Sequence, residues 1–196
     1  KSGQLRVYRP GPEVIRRSSL SLSDDGVAEI RLCAGLPAQG RRILGRQAVA
    51  LLTGDLPEAG RRLRKVKDDP ALQNQRKSVA VQRELRSALA ASGLVAFIAD
   101  GSILPRATGI SRSPLENAIP FQSPESLRVT LQTSSGPVTG MGIRRGVTVI
   151  VGGGFHGKST LLQALQWGHL DHIPGDGRER VVSLPSTVKV RAEDGR

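Results

Sequence analysis

The stretch GVTVIVGGGFHGKST, residues 146–160, is the most informative part of this chain for its fold. Its β-branched run, residues 147–151, predicts a buried strand that leads straight into a glycine-rich loop. Gly152–Ser159 satisfies the pattern G-x-x-x-x-G-K-[ST] residue for residue. The following segment, STLLQALQW at residues 159–167, predicts a helix with its leucines on one face. The sequence therefore predicts a strand, a loop and a helix in immediate succession.

This succession is the setting that a phosphate-binding loop requires. Glycines let backbone N–H groups curve around an anion, and a helix N-terminus adds the positive end of its dipole. Lys158 is expected to bridge the terminal phosphates of ATP, Ser159 to ligate Mg²⁺ and Thr160 to contact an inner phosphate. The predicted nucleotide-binding residues are Gly152, Gly153, Gly154, Phe155, His156, Gly157, Lys158, Ser159 and Thr160. The alternative is a plain glycine-rich turn, and for His156 both a phosphate contact and a solvent-facing side chain stay open.

Composition limits the functional classes. The 196 residues carry a net charge of +12 and 38% hydrophobic residues, which suits a globular protein that attracts phosphates, nucleic acid or an anionic surface. Cys33 is the single cysteine, so no disulfide within the chain and no cysteine-based zinc cluster can form. The apolar stretches are far shorter than the ~20 residues of a membrane helix. We therefore expect an intracellular protein that is cytoplasmic, or mitochondrial if the organism is a eukaryote, with no membrane partner.

The rest of the chain alternates between predicted strands and helices. Residues 14–22 and 27–32 predict a hairpin around an Asp-Asp-Gly turn, and Cys33 beside it is expected to be a small buried residue. A helix is predicted near residues 43–52 with Gly54 as its stop, and a second over residues 75–92. Beyond it the pattern predicts a strand from Leu94, a Ser/Pro/Gly-rich loop at 106–125, and a strand pair around SSGP.

The first half of the chain carries much of the positive charge. Between Arg41 and Arg86 there are 12 Lys or Arg residues against 5 Asp or Glu residues, an excess of 12 − 5 = 7. Such a surface suits the phosphate backbone of RNA or DNA, although a solvated basic face gives the same pattern. The candidate nucleic-acid contacts are Arg41, Arg42, Arg46, Arg61, Arg62, Arg64, Lys65 and Lys67. An aromatic content of 3% argues against base stacking as the main mode of binding.

Two further polar segments follow the predicted phosphate loop. His169 and His172 flank Asp171, but three ligands in this spacing are a weak case for a closed zinc site. The segment IPGDGRER, from residue 173, predicts a turn before a strand near residues 181–182. Its Asp176 and Arg178 are either solvated loop charges or neighbours of the nucleotide.

Several blocks of the sequence resemble the family of predicted ATPases of the ABC class. They include GLPAQGRRILGRQA, LVAFIADGSILPR, PFQSPESL, GMGIRRGVTVIVGGGFHGKSTLLQAL, HIPGDGRER and VKVRAEDGR. The resemblance implies an α/β P-loop NTPase fold of ABC type, present in part, preceded by a smaller α+β N-terminal region. We expect the basic region to span residues 1–93 and the ATPase part residues 94–196.

The resemblance also implies what lies elsewhere in the protein. Family members carry a Ser/Gly-rich signature and an acidic segment that activates water, and neither appears before Arg196. The hydrolytic residues are therefore expected beyond residue 196, and the chain is expected to be a piece of a longer protein. Within VKVRAEDGR, either Glu193 or Asp194 would sense metal and nucleotide, or both are merely charged residues at a strand end. Phe155 stands where tyrosine is common in the family.

Two functions follow from these observations. The first is an ATPase that uses Mg²⁺, self-associates through paired nucleotide-binding modules and acts on nucleic acid. The second is an RNA- or DNA-binding module in which the nucleotide is regulatory. A transporter subunit is disfavoured, by resemblance only, because the N-terminal blocks belong to a dedicated region rather than to a membrane-coupling interface.

Overall fold

The computed structural model describes residues 2–192, except the side chains of Lys65 and Lys67. The chain divides into two compact units. The first contains the N-terminal ten residues and Arg16–Gln73, and the second contains Gly11–Ile15 and the chain from Asn74 onward. The sequence predicts a boundary after residue 93, at the end of a helix. The two units instead divide near residue 73, because that helix, Pro70–Ala91, packs mostly within the second unit.

Short strands predominate in the first part of the chain, and longer strands and helices follow. The strands are β1 (Gln4–Arg6), β2 (Glu13–Val14), β3 (Leu20–Leu22), β4 (Ala28–Ile30), β5 (Cys33–Gly35), β6 (Ala38–Gln39), β7 (Arg42–Ile43), β8 (Leu94–Ala99), β9 (Arg128–Thr133), β10 (Gly136–Arg144), β11 (Asp171–His172) and β12 (Val181–Ser183). The helices are α1 (Gly45–Ala50), α2 (Leu56–Arg64), α3 (Pro70–Ala91) and α4 (Lys158–Trp167). Short 3-10 helices occupy Lys65–Asp68 and Glu125–Leu127.

The first unit holds three small two-stranded sheets, β1 with β5, β3 with β4 and β6 with β7. The predicted hairpin is confirmed, although its strands are shorter and Leu20 pairs with Ile30. Its turn is closed by the N–H of Gly26, which donates to the carbonyl of Ser23. The expectation that Cys33 is buried is wrong: it lies in β5, in the two-stranded sheet with β1, and its side chain is exposed.

The first helical segment does not stop at Gly54. A π-helical turn, Leu51–Asp55, joins α1 directly to α2. Glycine ends a helix when it adopts a left-handed conformation, but Gly54 is not among the residues with positive φ. Gly54 lies within the π-helical turn, and the helical segment continues through α2 to Arg64.

The second unit is built on a four-stranded antiparallel sheet in the order β12-β8-β10-β9. The strand pair predicted around SSGP is confirmed as β9 and β10, with Thr133 opposite Gly136. β8 lies inside the sheet and pairs with β10 on one side and β12 on the other. The register of β8 and β10 shifts between Ile143 and Arg144.

Each face of this sheet is covered by one helix. The face on the α3 side carries the larger core, which comprises Val81, Leu85, Leu89, Leu94, Phe97, Ala99, Leu131, Val138 and Val182. The other face packs against α4 through Ile98, Leu104, Met141, Ala164 and Val181. Successive residues of a strand point to opposite faces, so Phe97 and Ile98 anchor the two cores from one strand. The sheet is therefore held between α3 and α4.

α3 begins five residues earlier than predicted and ends one residue earlier, and α4 matches its prediction within one residue. Asp69 caps α3, because its carboxylate accepts the N–H of Ala71 at 2.8 Å. On α4 the predicted face is partly wrong: Leu161 and Leu165 pack into the core, whereas Leu162 is exposed and Ala164 takes the central position. Across residues 2–192, no helix combines the length and the apolar character needed to cross a membrane.

The predicted buried strand at residues 147–151 is wrong. The segment is not assigned to a strand, and Val147, Val149 and Val151 are 96%, 75% and 82% exposed. The β-branched run favours an extended backbone, but a strand also needs a partner along its edge. Among the described residues none pairs with this segment. Residues 188–190 are likewise unpaired, with Val188 80% exposed, and the candidates Glu193 and Asp194 lie outside the described residues.

Close packing inside the sheet leads to a first prediction. A Cβ atom on Gly140 would lie 2.2 Å from the carbonyl oxygen of Ile98, whereas one on Gly142 would meet side-chain methyl groups of Leu94 and Val129 at 2.9 Å. Because backbone yields less than a side chain, we expect Gly140→Ala to reduce the free energy of unfolding by about 3 kcal/mol and Gly142→Ala by about 1 kcal/mol. Urea unfolding monitored by the fluorescence of Trp167 measures both values.

Gly60→Ala provides the control, since a Cβ atom there meets nothing within 4 Å. It should leave stability unchanged or raise it slightly, because alanine favours the helix. Equal losses for Gly140→Ala and Gly142→Ala would contradict the expectation that a clash with the backbone of β8 costs more than a clash with side chains.

Candidate nucleotide-binding site

The predicted phosphate loop lies at the N-terminus of α4. Gly152 and Gly157 have φ angles of +152° and +78°, so both adopt conformations that favour glycine. Phe155 also has a positive φ, +61°, and its side chain is fully exposed. A left-handed backbone at an aromatic residue costs of order 1–3 kcal/mol. The loop therefore keeps a defined curvature that ordinary turn preferences would not select.

Lys158 folds back over this loop. Its Nζ donates hydrogen bonds to the carbonyl oxygens of Gly152, at 2.5 Å, and of Gly153. Lys158 as a whole is half-buried, and its ammonium group lies within hydrogen-bonding distance of the loop's own backbone. Carbonyls are weaker acceptors than charged phosphate oxygens. An incoming anion would therefore find the cation already positioned at the loop.

The start of α4 supplies further donors. Its first internal hydrogen bond runs from the N–H of Leu161 to the carbonyl of Gly157, at 2.8 Å, and no side chain caps the helix. The preceding amides, including those of Ser159 and Thr160, have no partner within the helix. Ser159 is exposed and Thr160 is half-buried. Free amides at a helix N-terminus, beside a lysine, have the donor chemistry of an anion site.

His156 has a role that the sequence left open. Its Nδ1 accepts the N–H of Gly153 at 3.1 Å, although the ring is exposed. The imidazole thus holds a backbone donor that the loop would otherwise offer to a phosphate. Because Nδ1 accepts here, a proton on the ring must be on Nε2.

A cavity of about 470 Å³ adjoins the loop. One side is formed by His156, Gly157, Lys158 and Thr160, and the other side is apolar, with Leu104, Ile119, Phe121 and Val151. This volume falls in the range of about 300–1,000 Å³ that is usual for small-molecule sites. Ile119 and Phe121 come from the loop rich in Ser, Pro and Gly, which sequence reasoning did not connect with the nucleotide. The block PFQSPESL was the available signal.

The segment at residues 173–180 is a turn before β12, as predicted. Gly175 and Gly177 have φ angles of +85° and +78°. The interpretation of its charges as solvated is wrong, because Asp176 and Arg178 are only 3% and 2% exposed. Both side chains form hydrogen bonds inside the second unit, and these bonds offset the loss of hydration on burial.

Asp176 lies at the centre of a buried polar network. Its Oδ2 accepts from Nδ1 of His172 at 2.7 Å and from Nη2 of Arg106 at 2.9 Å. Burial raises the pKa of Asp176, but the hydrogen bond from His172 and the charge of Arg106 outweigh it and hold the pKa below its ordinary value. His172 is therefore a partner of a carboxylate in the core.

The network also fixes one wall of the cavity. Arg178 donates from Nε to the carbonyl oxygen of Leu104 at 3.0 Å, and the Leu104 side chain lines the cavity. Neither Asp176 nor Arg178 is among the described residues that line it. Arg178 therefore acts on the cavity indirectly, by holding the backbone of Leu104.

The other candidate metal-binding side chains are engaged in different contacts. Asp171 pairs with Arg83 and Arg86 at 3.1 and 2.9 Å. His169 has its Nδ1 at 2.8 Å from the carbonyl oxygen of Gln166. Within residues 2–192 no group of three or more His, Cys, Asp or Glu side chains is placed to hold a metal ion.

The candidate nucleic-acid contacts lie in the first unit, whereas the phosphate loop belongs to the second. Their exposed members are Arg41, Arg42, Arg46, Arg61, Arg62 and Arg64. On α2, Glu58 pairs with Arg61 at 2.9 Å and with Arg62 at 3.2 Å. Hydrogen bonds from these two arginines hold the pKa of Glu58 below its ordinary value. Part of the basic charge is thus balanced within the helix.

The glycine-rich loop at the start of α4 and the mixture of helices and strands are consistent with an α/β P-loop fold. Residues 68–196 match the model of the P-loop domain of an ATPase family, and residues 1–66 match the region described as the N-terminal part of an ATPase of the ABC class. The chain belongs to the family of ABC-class ATPases.

The sequence is also similar to that of an uncharacterized protein of Methanocaldococcus jannaschii. The two are 38% identical over 122 residues, a match that covers 58% of this chain and 27% of the other protein. The matched part thus spans about a quarter of that relative's length.

The burial of Asp176 leads to a second prediction. Asp176→Asn removes the charge that faces Arg106 and His172, and breaking a buried ion pair in this way costs about 3–5 kcal/mol. At pH 7 we expect a loss of free energy of unfolding of that order. The pKa of Asp176 in the folded protein is lowered from 3.8. The extra free energy of unfolding of wild type over Asp176→Asn is therefore present above pH 3.8 and is lost as the pH falls through the folded-state pKa of Asp176.

Urea unfolding at pH 7 and at pH 3 tests this expectation. The gap between wild type and Asp176→Asn should narrow at pH 3. Glu116→Gln is the control, since Glu116 is an exposed carboxylate of the same unit. A gap of the same size at both pH values would contradict an ionised Asp176 in the folded protein.

Proposed function

We propose that this chain binds Mg²⁺·ATP through Gly152–Thr160 and positions its phosphates for hydrolysis by the complete ATPase. The observation that carries the proposal is the position of the Lys158 ammonium over the loop, at the uncapped N-terminus of α4. The neighbouring cavity has room for the nucleoside beside its phosphates. Membership of the ABC-class ATPases supports the same function.

The residues have distinct tasks in this proposal. Lys158 exchanges its carbonyl partners for oxygens of the terminal phosphates, and the free amides of α4 bind the inner ones. His156 has to release the N–H of Gly153 if that donor is to reach a phosphate. The Ser159 hydroxyl, exposed at the start of the helix, is suited to hold Mg²⁺, which would neutralise phosphate charge.

Self-association of paired modules is part of the proposal, because the family resemblance implies it. The intracellular location, cytoplasmic or mitochondrial, stays a prediction.

Nucleotide binding is tested with a fluorescent ATP analogue. Lys158→Ala removes a charged donor worth about 1.5–3 kcal/mol, so we expect affinity to fall about 10- to 150-fold. Ser159→Ala should weaken binding in Mg²⁺ but leave binding in EDTA close to that of wild type.

Lys77→Ala is the matched control, because Lys77 is an exposed lysine on α3. It should bind the analogue as wild type does. Equal affinities for wild type and Lys158→Ala would exclude Lys158 from the role assigned to it.

A second function, binding of RNA or DNA, is favoured by the arginines of α2. Arg61 and Arg62 have side chains 63% and 79% exposed, and Arg64 is exposed as well. These side chains lie on one short helix together with a single acidic partner, Glu58. Phosphate oxygens could replace that partner. In this view ATP is either the energy source or a regulator of nucleic-acid binding.

Salt dependence of binding tests this second function. Replacing Arg61, Arg62 and Arg64 with glutamine should lower the affinity for single-stranded RNA or DNA and flatten the log–log salt slope by about 0.7 for each lost phosphate contact. Glu58→Gln should act in the opposite direction, because it frees two arginines. ATP binding, measured in parallel, reports that both variants are folded. Unchanged affinity for several oligonucleotides at low salt would identify the arginines as a solvated face.

A further inference from the structure

A smaller cavity, of about 120 Å³, lies elsewhere in the second unit. Three arginines, Arg106, Arg112 and Arg178, line it together with Glu13 and with Trp167 at the end of α4. The described residues that line this cavity are all different from those beside the phosphate loop. The cavity is therefore a separate feature, and its lining is strongly basic.

The charges around it do not balance. Arg112 pairs with Glu13 at 2.7 Å, and Arg106 pairs with Asp176 at 2.9 Å. Arg178 donates only to the carbonyl oxygen of Leu104, and within the described part of the chain no carboxylate lies within 4.0 Å of it. Three arginines thus face two carboxylates, Glu13 and Asp176, so one positive charge is in excess.

Burial of an excess positive charge is unfavourable. Burial, followed by repulsion from Arg106, lowers the pKa of Arg178 to about 10, although the charges of Asp176 and Glu13 raise it, so the group still carries its charge at neutral pH. Removing an ion from water costs several kcal/mol unless an opposite charge offsets it. An anion in the cavity would supply that opposite charge.

The size and the donors of the cavity identify the kind of anion. The volume of about 120 Å³ is well below the range of about 300–1,000 Å³ that is usual for small-molecule sites, so the cavity suits a small oxyanion better than a nucleoside. Guanidinium groups present several N–H donors in a plane and bind phosphate oxygens well. Arg112 is oriented by Glu13 and lies 5.8 Å from the centre of the Trp167 ring, so its donors are held at the cavity.

We propose that this cavity is a binding site for a small oxyanion of the phosphate class, with Arg178 as its buried anchor and Arg112 as its outer donor. Trp167 is the last residue of α4, and the phosphate loop precedes the first. The two sites thus lie at opposite ends of one helix, and a small anion at the arginine site does not compete with the nucleotide.

Inorganic phosphate is the probe for the experiment, with Lys158→Ala as the parent variant so that the phosphate loop contributes little. Isothermal titration at constant ionic strength, set with chloride, should give saturable binding at one site. Adding Arg178→Gln should weaken it at least tenfold, whereas adding Arg180→Gln, an exposed neighbour, should leave it unchanged. Loss of all phosphate binding in Lys158→Ala, or equal binding with and without Arg178→Gln, would overturn the proposal.

A second variant keeps the test decisive if Arg178→Gln does not fold. The Arg112 side chain is 55% exposed, so its replacement disturbs the core less. Arg112→Gln removes one donor and leaves the carboxylate of Glu13 unbalanced in the cavity wall, and both changes disfavour an anion. We expect phosphate affinity to fall at least fivefold, while thermal unfolding without phosphate remains cooperative. Parent-like affinity in Arg112→Gln would count against the site as firmly as the first result.

Discussion

The packing of one inner strand, β8, positions the rest of the second unit. Phe97 and Ile98 are both fully buried, and they serve the cores on opposite faces of the sheet. Because β8 pairs with β10 and β12, its side chains fix where α3 and α4 can rest. α4 carries the phosphate loop at its start, so the place of that loop follows from packing at the centre of the sheet. Fully burying side chains of this size is worth about 1.5–3 kcal/mol each.

Features encoded by contiguous residues could be predicted from the sequence. The glycines and lysine of residues 152–158 and the apolar spacing of α4 specify a loop and a helix by local chemistry alone, as do the signals for α3 and for the β9–β10 pair. The conformation of residues 147–151 could not be predicted correctly in the same way. Their composition favours extension, but pairing depends on residues distant in sequence, and none of those described supplies an edge.

Long-range contacts also explain the features that sequence reasoning missed. Nothing local shows that Phe121 lies beside the phosphate loop or that Arg106 meets Asp176, 70 residues away. The charged residues of the segment after α4 looked solvated, because Asp and Arg rarely lie in a core without partners. Their partners come from another loop and from β11. The buried contacts of Asp176 with Arg106 and His172 therefore connect separate segments of the second unit.

The exposure of residues 147–151 has a consequence for handling the protein. Val147, Val149 and Val151 are exposed and belong to an uncharged segment of high β-propensity, without proline, that pairs with none of the described strands. Segments of this kind nucleate cross-β aggregates when they meet a copy of themselves. The high positive charge of the whole chain opposes such encounters at low ionic strength, and added salt screens that repulsion. The exposed valine segment thus favours aggregation of this chain, and its net positive charge opposes it.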